Sequence, residues 1–177
     1  MPSPDNRPRN TADRRTQHIA RIALLAALAL IFSYVEAIIP YNPAVPGIKL
    51  GIANLVCVTA LYRYGAWEAA AVNGIRILIA GLLFNGLFGA LYALAGAALS
   101  LAGMVLLKRT GLFSTAGVSM AGGVLHNTGQ LLVAAALIED LRIFFYFPIL
   151  LFSGMITGIV IGIASHLILQ RLPARAV

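Results

Sequence analysis

Acidic residues are scarce, six in 177, and the three aspartates, Asp5, Asp13 and Asp140, lie far apart. Holding magnesium on a pyrophosphate takes oxygen ligands grouped together, so the paired-aspartate chemistry of prenyl-diphosphate synthesis is excluded. The chain has no GxxxxGK[ST] run, which excludes ATP hydrolysis through a phosphate-binding loop. Its serines sit in no hydrolase motif with an evident base. A single cysteine, Cys57, rules out an internal disulfide framework, and no CxxC spacing offers a metal site. Within its apolar run Cys57 reads as a small buried hydrophobe. No catalytic constellation is present, so the expectation is not an enzyme and at most a non-catalytic subunit. Nothing in the sequence identifies a cofactor.

Charge of either sign is also sparse. Only 11% of residues are charged and 60% are hydrophobic, with a mean hydropathy of +0.88. A soluble domain is about one quarter charged, so the composition is that of an integral membrane protein. The formal charge of +7 does not point to nucleic acid, because the basic residues punctuate hydrophobic runs instead of lining a soluble face. The arginines before IALLAALALIF resemble a signal peptide, but no small-x-small cleavage site follows. An uncleaved first helix is the expectation.

Six hydrophobic runs can be placed. Residues 1–17 are polar and basic and read as a disordered cytoplasmic tail. Span one, about 19–39, carries Ala23 and Ala27 on a small-residue stripe suited to close helix contact. The segment 41–51 holds Pro43, Pro46 and Gly47 and reads as a short extracytoplasmic loop. Span two, about 48–62, has Lys49 near its mouth and Asn54 inside; span three, about 66–84, buries Asn73 and Arg76 three residues apart. Asn85-Gly86 is a strong turn dipeptide, followed by the glycine- and alanine-rich span four, about 87–107. Span five, Ser119–Leu137, carries His126, Asn127 and Gln130 in its middle, at spacings that share one helix face. The aromatic cluster 144–147 marks an interface before span six, about 147–169, in which Gly154, Gly158 and Gly162 form a doubled GxxxG. The expected organisation is an all-α integral membrane bundle of six transmembrane helices over 18–172, with 173–177 a short cytoplasmic tail.

Basic residues set the orientation. With the amino terminus inside, ten lysines and arginines fall on the inside, Lys49 and Arg142 fall outside, and Arg76 stays within the membrane. The positive-inside rule then places both termini in the cytoplasm. Arg76 lies about 12 Å below the outer end of span three, and His126 lies near the middle of span five.

Polar groups at such depth must be paired or line a wet cavity. Asn54 and Asn73 read either as helix clamps or as ligand contacts. His126, Asn127 and Gln130 read as an interhelical clamp when taken singly and as a site when taken with Arg76. Lys49 reads first as a headgroup-facing lysine and second as an attraction for an anion. Arg76 needs a counter-charge, either Glu36 or a bound anion. The group Lys49, Asn54, Asn73, Arg76, His126, Asn127 and Gln130 is therefore the candidate substrate-binding set, and Ala23 with Ala27 the candidate partner contact.

The runs PGIKLGIANLV (46–56), NGIRILIAGLLF (73–84), LYALAGAALSLAGM (91–104) and GVLHNTGQLLVAA (123–135) resemble the Gx transporter family, also known as heptaprenyl diphosphate synthase component I. That family is similar to the substrate-binding S components of energy-coupling-factor transporters. The resemblance implies an S-component-like six-helix bundle in a bacterial cytoplasmic membrane. It also implies an outward-facing site under the first loop and a small-residue face on span one that docks a partner. Two functions follow as expectations. One is a membrane protein that binds and transports a small, phosphate- or carboxylate-bearing anion with an energising partner complex. The other is a non-catalytic membrane subunit anchoring a prenyl diphosphate synthase or a flavin- or quinone-linked redox complex.

Overall fold

The structure, a computed structural model, describes residues 11–38 and 51–173. Lys49 and the Pro-rich loop lie outside the described residues, as do the first ten residues and the last four. The described residues form α1 (Thr11–Ile38), α2 (Ile52–Arg63), α3 (Ala66–Ala80) with a π-helical turn Gly81–Asn85, α4 (Gly86–Thr110) and α5 (Thr115–Ile138). A short 3₁₀ segment, Leu141–Tyr146, then leads into α6 (Phe147–Arg171).

Among the described residues, five stretches are long and apolar enough to cross a membrane: Arg15–Ile38, Ala66–Phe84, Gly86–Thr110, Thr115–Ile138 and Leu141–Arg171. The sixth, α2, has 12 residues, about 18 Å of helix against a hydrocarbon core of about 30 Å. Two glycines bound it. Gly51 takes a left-handed φ of 73° at its start, and Gly65 has φ 128° just past its end. The start of α1 also differs from the expectation. The sequence places residues 11–17 in a disordered tail, whereas the helix already runs through them. Asp13 sits in the first turn, where its charge favours the helix dipole. Extending an existing helix by a few residues requires no new nucleus.

Residue size sorts inside from outside. The buried core is dominated by alanine, including Ala29, Ala53, Ala60 and Ala69, while Leu24, Leu82, Leu87, Leu106 and Phe152 are exposed. That is the inverse of a water-soluble protein, and it suits a bundle whose outer surface meets lipid and whose helices approach through small residues. Among the described residues, α2, α6, α5, α4 and α3 contact one another in a closed ring, and α1 packs against α2 and α3. The stretch containing α1 is the least covered of the five.

The α5–α6 seam is the closest approach. A Cβ on Gly154 would stand 2.7 Å from the Gly123 carbonyl oxygen, and one on Gly158 would stand 2.6 Å from the Ser119 carbonyl oxygen. The doubled GxxxG of α6 therefore packs backbone on backbone against α5. Near the end of α2, Lys108 Nζ donates to the Leu61 carbonyl at 2.7 Å and lies over the Tyr62 ring. Nearby Arg21 stacks on Tyr64, and Arg63 donates to the Pro173 carbonyl. These long basic side chains tie the helix ends together while keeping their charged heads at the rim.

Candidate functional site

Arg76 lies near the middle of the Ala66–Phe84 stretch and is half-buried there. Asn73, one helical turn earlier, receives two of its N–H groups: Nη2 donates to Asn73 Oδ1 at 2.6 Å and Nε at 3.2 Å. The remaining arm, Nη1, donates to Ser33 Oγ on α1 at 3.3 Å. Ser33 in turn donates to the Ala29 carbonyl. These bonds hold the guanidinium in place without neutralising it. Among the described residues no carboxylate oxygen lies within 4.0 Å of Arg76.

Glu36 is committed elsewhere. Its Oε1 accepts from the backbone N–H groups of Gly51 and Ile52, the latter at 3.1 Å. Those are orphan donors at the start of α2, where a carboxylate is also favoured by the helix dipole. Of the two counter-charges the sequence leaves open for Arg76, the carboxylate is thus occupied as a helix cap.

A cavity of about 80 Å³ runs through the ring of helices. Glu36, Asn54, Cys57, Asn73 and Arg76 line it from one side, and Ser100, Ser119, His126, Asn127, Gln130 and Thr157 from the other. Every expected substrate-binding residue that the structure describes, namely Asn54, Asn73, Arg76, His126, Asn127 and Gln130, is in this wall. Lys49 lies outside the described residues. The volume holds roughly half a dozen waters, enough for a phosphate- or carboxylate-sized group and its hydration.

The three polar residues of α5 divide their work. Asn127 Nδ2 donates to the Leu150 carbonyl at 2.7 Å, so it clamps α6 as well as facing the cavity. His126 packs on Gly96 of α4, where an added Cβ would stand 2.7 Å from the His126 carbonyl oxygen. Gln130 faces the same glycine with its Cγ. Side chains on a shared helix face can still diverge toward different neighbours, which explains why one stripe serves both packing and lining.

Sequence reasoning missed Ser33, which bonds Arg76, and the cavity-lining hydroxyls of Ser100 and Thr157. Ser33 is the third partner of the Arg76 cluster, and its signal was available: it stands one turn before Glu36 on α1. Ser100 and Thr157 come from two different helices and carry no spacing that links them. Cys57, taken as a plain buried hydrophobe, is buried and lines the cavity. Among the described residues, no group of three or more His, Cys, Asp or Glu side chains comes together for a metal.

The sequence profile of the family described as heptaprenyl diphosphate synthase component I matches residues 25–168. The chain belongs to that family. The match runs from the middle of α1 to the last turns of α6 and includes every residue of the Arg76 cluster and the cavity wall. Comparison with curated proteins and with solved structures gives no match. As its description states, the heptaprenyl diphosphate synthase component I family is one component of a synthase, which implies a protein partner. The apolar helices make this member a membrane protein.

Proposed function

We propose that this chain is a six-span membrane subunit that binds a small anionic molecule at Arg76 and passes it on with the help of a partner complex. One observation carries the reading. A half-buried arginine in mid-span is held at the wall of a polar cavity by Asn73 and Ser33 and has no carboxylate within 4.0 Å among the described residues. A charged arginine at a helix centre costs about 2.5–3.5 kcal/mol on insertion scales. A bound phosphate or carboxylate would offset that cost through bidentate, charge-assisted bonds. Asn54, Gln130 and His126 then orient the polar remainder of the ligand.

The sixth span in this reading is α2. The basic asymmetry places both termini inside, which turns the Glu36 end of the cavity outward. Cysteines introduced by Thr110→Cys and Arg142→Cys, in a Cys57→Ala background, test it with an impermeant thiol reagent on intact cells. Labelling at 142 and protection at 110 is the expected result, and the reverse would overturn the topology.

The binding test uses Arg76→Gln. The purified protein in lipid nanodiscs should bind inorganic phosphate or pyrophosphate, and the variant should lose at least about tenfold in affinity, or about 1.4 kcal/mol. Its melting temperature should hold or rise, because an uncompensated charge has been removed. Loss of folding with no change in anion binding would reduce Arg76 to a structural residue.

The family description favours a second reading, in which the chain anchors a synthase to the membrane without transporting anything. Under it, deleting the protein would release a soluble partner from the membrane fraction and leave uptake of anions unchanged.

A further inference from the structure

Asn127 and Gln130 line two cavities at once. On one side lies the polar cavity of Arg76, about 80 Å³. On the other lies a second compartment of about 400 Å³ between α4, the end of α5, the 3₁₀ segment and the start of α6. Its wall includes Leu131, Ile138, Ile143 and Leu150, with Tyr92 and Tyr146 among them, and contains no charged side chain among the described residues.

Volume and polarity argue together. Pockets that hold a small organic molecule measure about 300–1,000 Å³. The polar cavity falls well short of that range and takes a headgroup only; the apolar compartment lies inside it. An occupant compact enough for the first would leave the second empty, and an entirely apolar occupant of the second would leave the Arg76 charge unanswered. The two residues they share carry amides, suited to the polar junction between a charged head and a chain.

We infer that the site takes a single-chain amphiphile, with its anionic head at Arg76, its polar neck at Gln130 and Asn127, and its apolar chain in the second compartment. This rests on the anion-binding reading above and names the substrate class for that same site. The chain would enter beside the exposed aromatic residues Phe144, Phe145 and Tyr146, which suit a membrane–water interface, and not through the middle of the bundle.

The full-length protein in nanodiscs is titrated with inorganic phosphate and with butyl, hexyl and octyl phosphate, with binding to empty nanodiscs subtracted. Affinity should rise with chain length, by about tenfold or more from phosphate to octyl phosphate, since each buried methylene contributes. Ala134 also lines the apolar compartment, so Ala134→Trp should fill it and bring octyl phosphate down to the level of inorganic phosphate, whose own binding stays unchanged. If that variant fails to fold, Ile138→Trp, at an exposed position on the same wall, serves in its place. Equal affinity across the series, still lost in Arg76→Gln, would overturn the amphiphile and leave the anion site standing. Binding insensitive to Arg76→Gln would overturn both. A bilayer phospholipid that native mass spectrometry finds on the wild type and not on Ile138→Trp would make the compartment a lipid site and overturn the proposal.

Discussion

The two walls of the cavity are built by different means. On the side of α4, α5 and α6, backbone meets backbone: Gly123 against Gly154, Gly158 against Ser119 and Met120, and Gly129 against Ala95 and Gly96. On the side of α1, α2 and α3 the joints are made by side chains: Arg76 on Asn73 and Ser33, Glu36 on the start of α2, Lys108 reaching across to its end. Glycine seams are short-range and unforgiving, because no rotamer can relieve a clash with main chain. Side-chain joints are adjustable, and their strength depends on charge. A ligand that exchanges its own charge for those contacts can therefore rearrange the second wall while the first stays rigid. Under the proposed anion-binding function, that difference makes the carboxyl-terminal helices the scaffold and the amino-terminal ones the part that responds to a ligand.

The largest effect should come from disturbing the rigid wall. Gly158→Val places branched carbons where even a single Cβ would stand 2.6 Å from the Ser119 carbonyl oxygen and 2.7 Å from Met120 Cα. Overpacking typically costs about 1–3 kcal/mol, and here neither contacting atom can move without its helix. A steep fall in melting temperature and in yield of monodisperse protein is expected. Gly74→Ala on α3 is the contrast, because nothing lies within 4 Å of its added Cβ. It should be neutral or slightly stabilising, since alanine favours helix over glycine by about 1 kcal/mol. Equal losses from both would break the distinction between the walls.

How much of this was legible beforehand follows the same division. The seam could be read directly, since Gly154, Gly158 and Gly162 recur at the helical spacing that close packing uses. The Asn73–Arg76 pair could also be read, because three residues apart on a helix is a local relation. The convergence of Asn54, Arg76, His126 and Gln130 on one cavity came from estimating depth in each span. What could not be read were the partners across helices. The role of Glu36 depends on where the chain returns after residues 39–50. Whether Asn127 meets a ligand or the Leu150 carbonyl depends on a neighbour 23 residues away. The early start of α1 was missed because its composition is that of a tail, while its conformation follows from the helix it adjoins.

A smaller effect is expected from Glu36, and its sign pattern sharpens the account of the adjustable wall. If Glu36 acts as the cap of α2, Glu36→Ala should cost about 0.5–2 kcal/mol, the usual range for losing an N-cap acceptor. Glu36→Gln should restore most of that, because the amide oxygen can still accept from Gly51 and Ile52. Were Glu36 instead the counter-charge of Arg76, glutamine would be nearly as harmful as alanine, and adding Arg76→Gln would rescue both. Thermal unfolding of the three variants and of the double mutants separates the cases.

The smallest effect on the isolated protein should come from α1 itself. Ala26 and Ala29 are buried against α2 and α3, whereas Ala23 and Ala27 are exposed. The small-residue stripe of α1 is thus split between an inner face that is already packed and an outer face that is not. Leucine at positions 23 and 27 adds volume on the open side, so Ala23→Leu with Ala27→Leu should leave the stability within about 0.5 kcal/mol of the parent, the ordinary range for surface changes. Close helix approach in a membrane depends on small residues at the contact, so the same pair should prevent a partner helix from seating. Co-purification of the protein with its membrane partners should then fall while anion binding by the isolated protein is kept. Assemblies that survive both leucines would mean that this face meets only lipid. A fall in stability would mean that Ala23 and Ala27 pack within the bundle, and that the adjustable wall extends further around α1 than its exposure indicates.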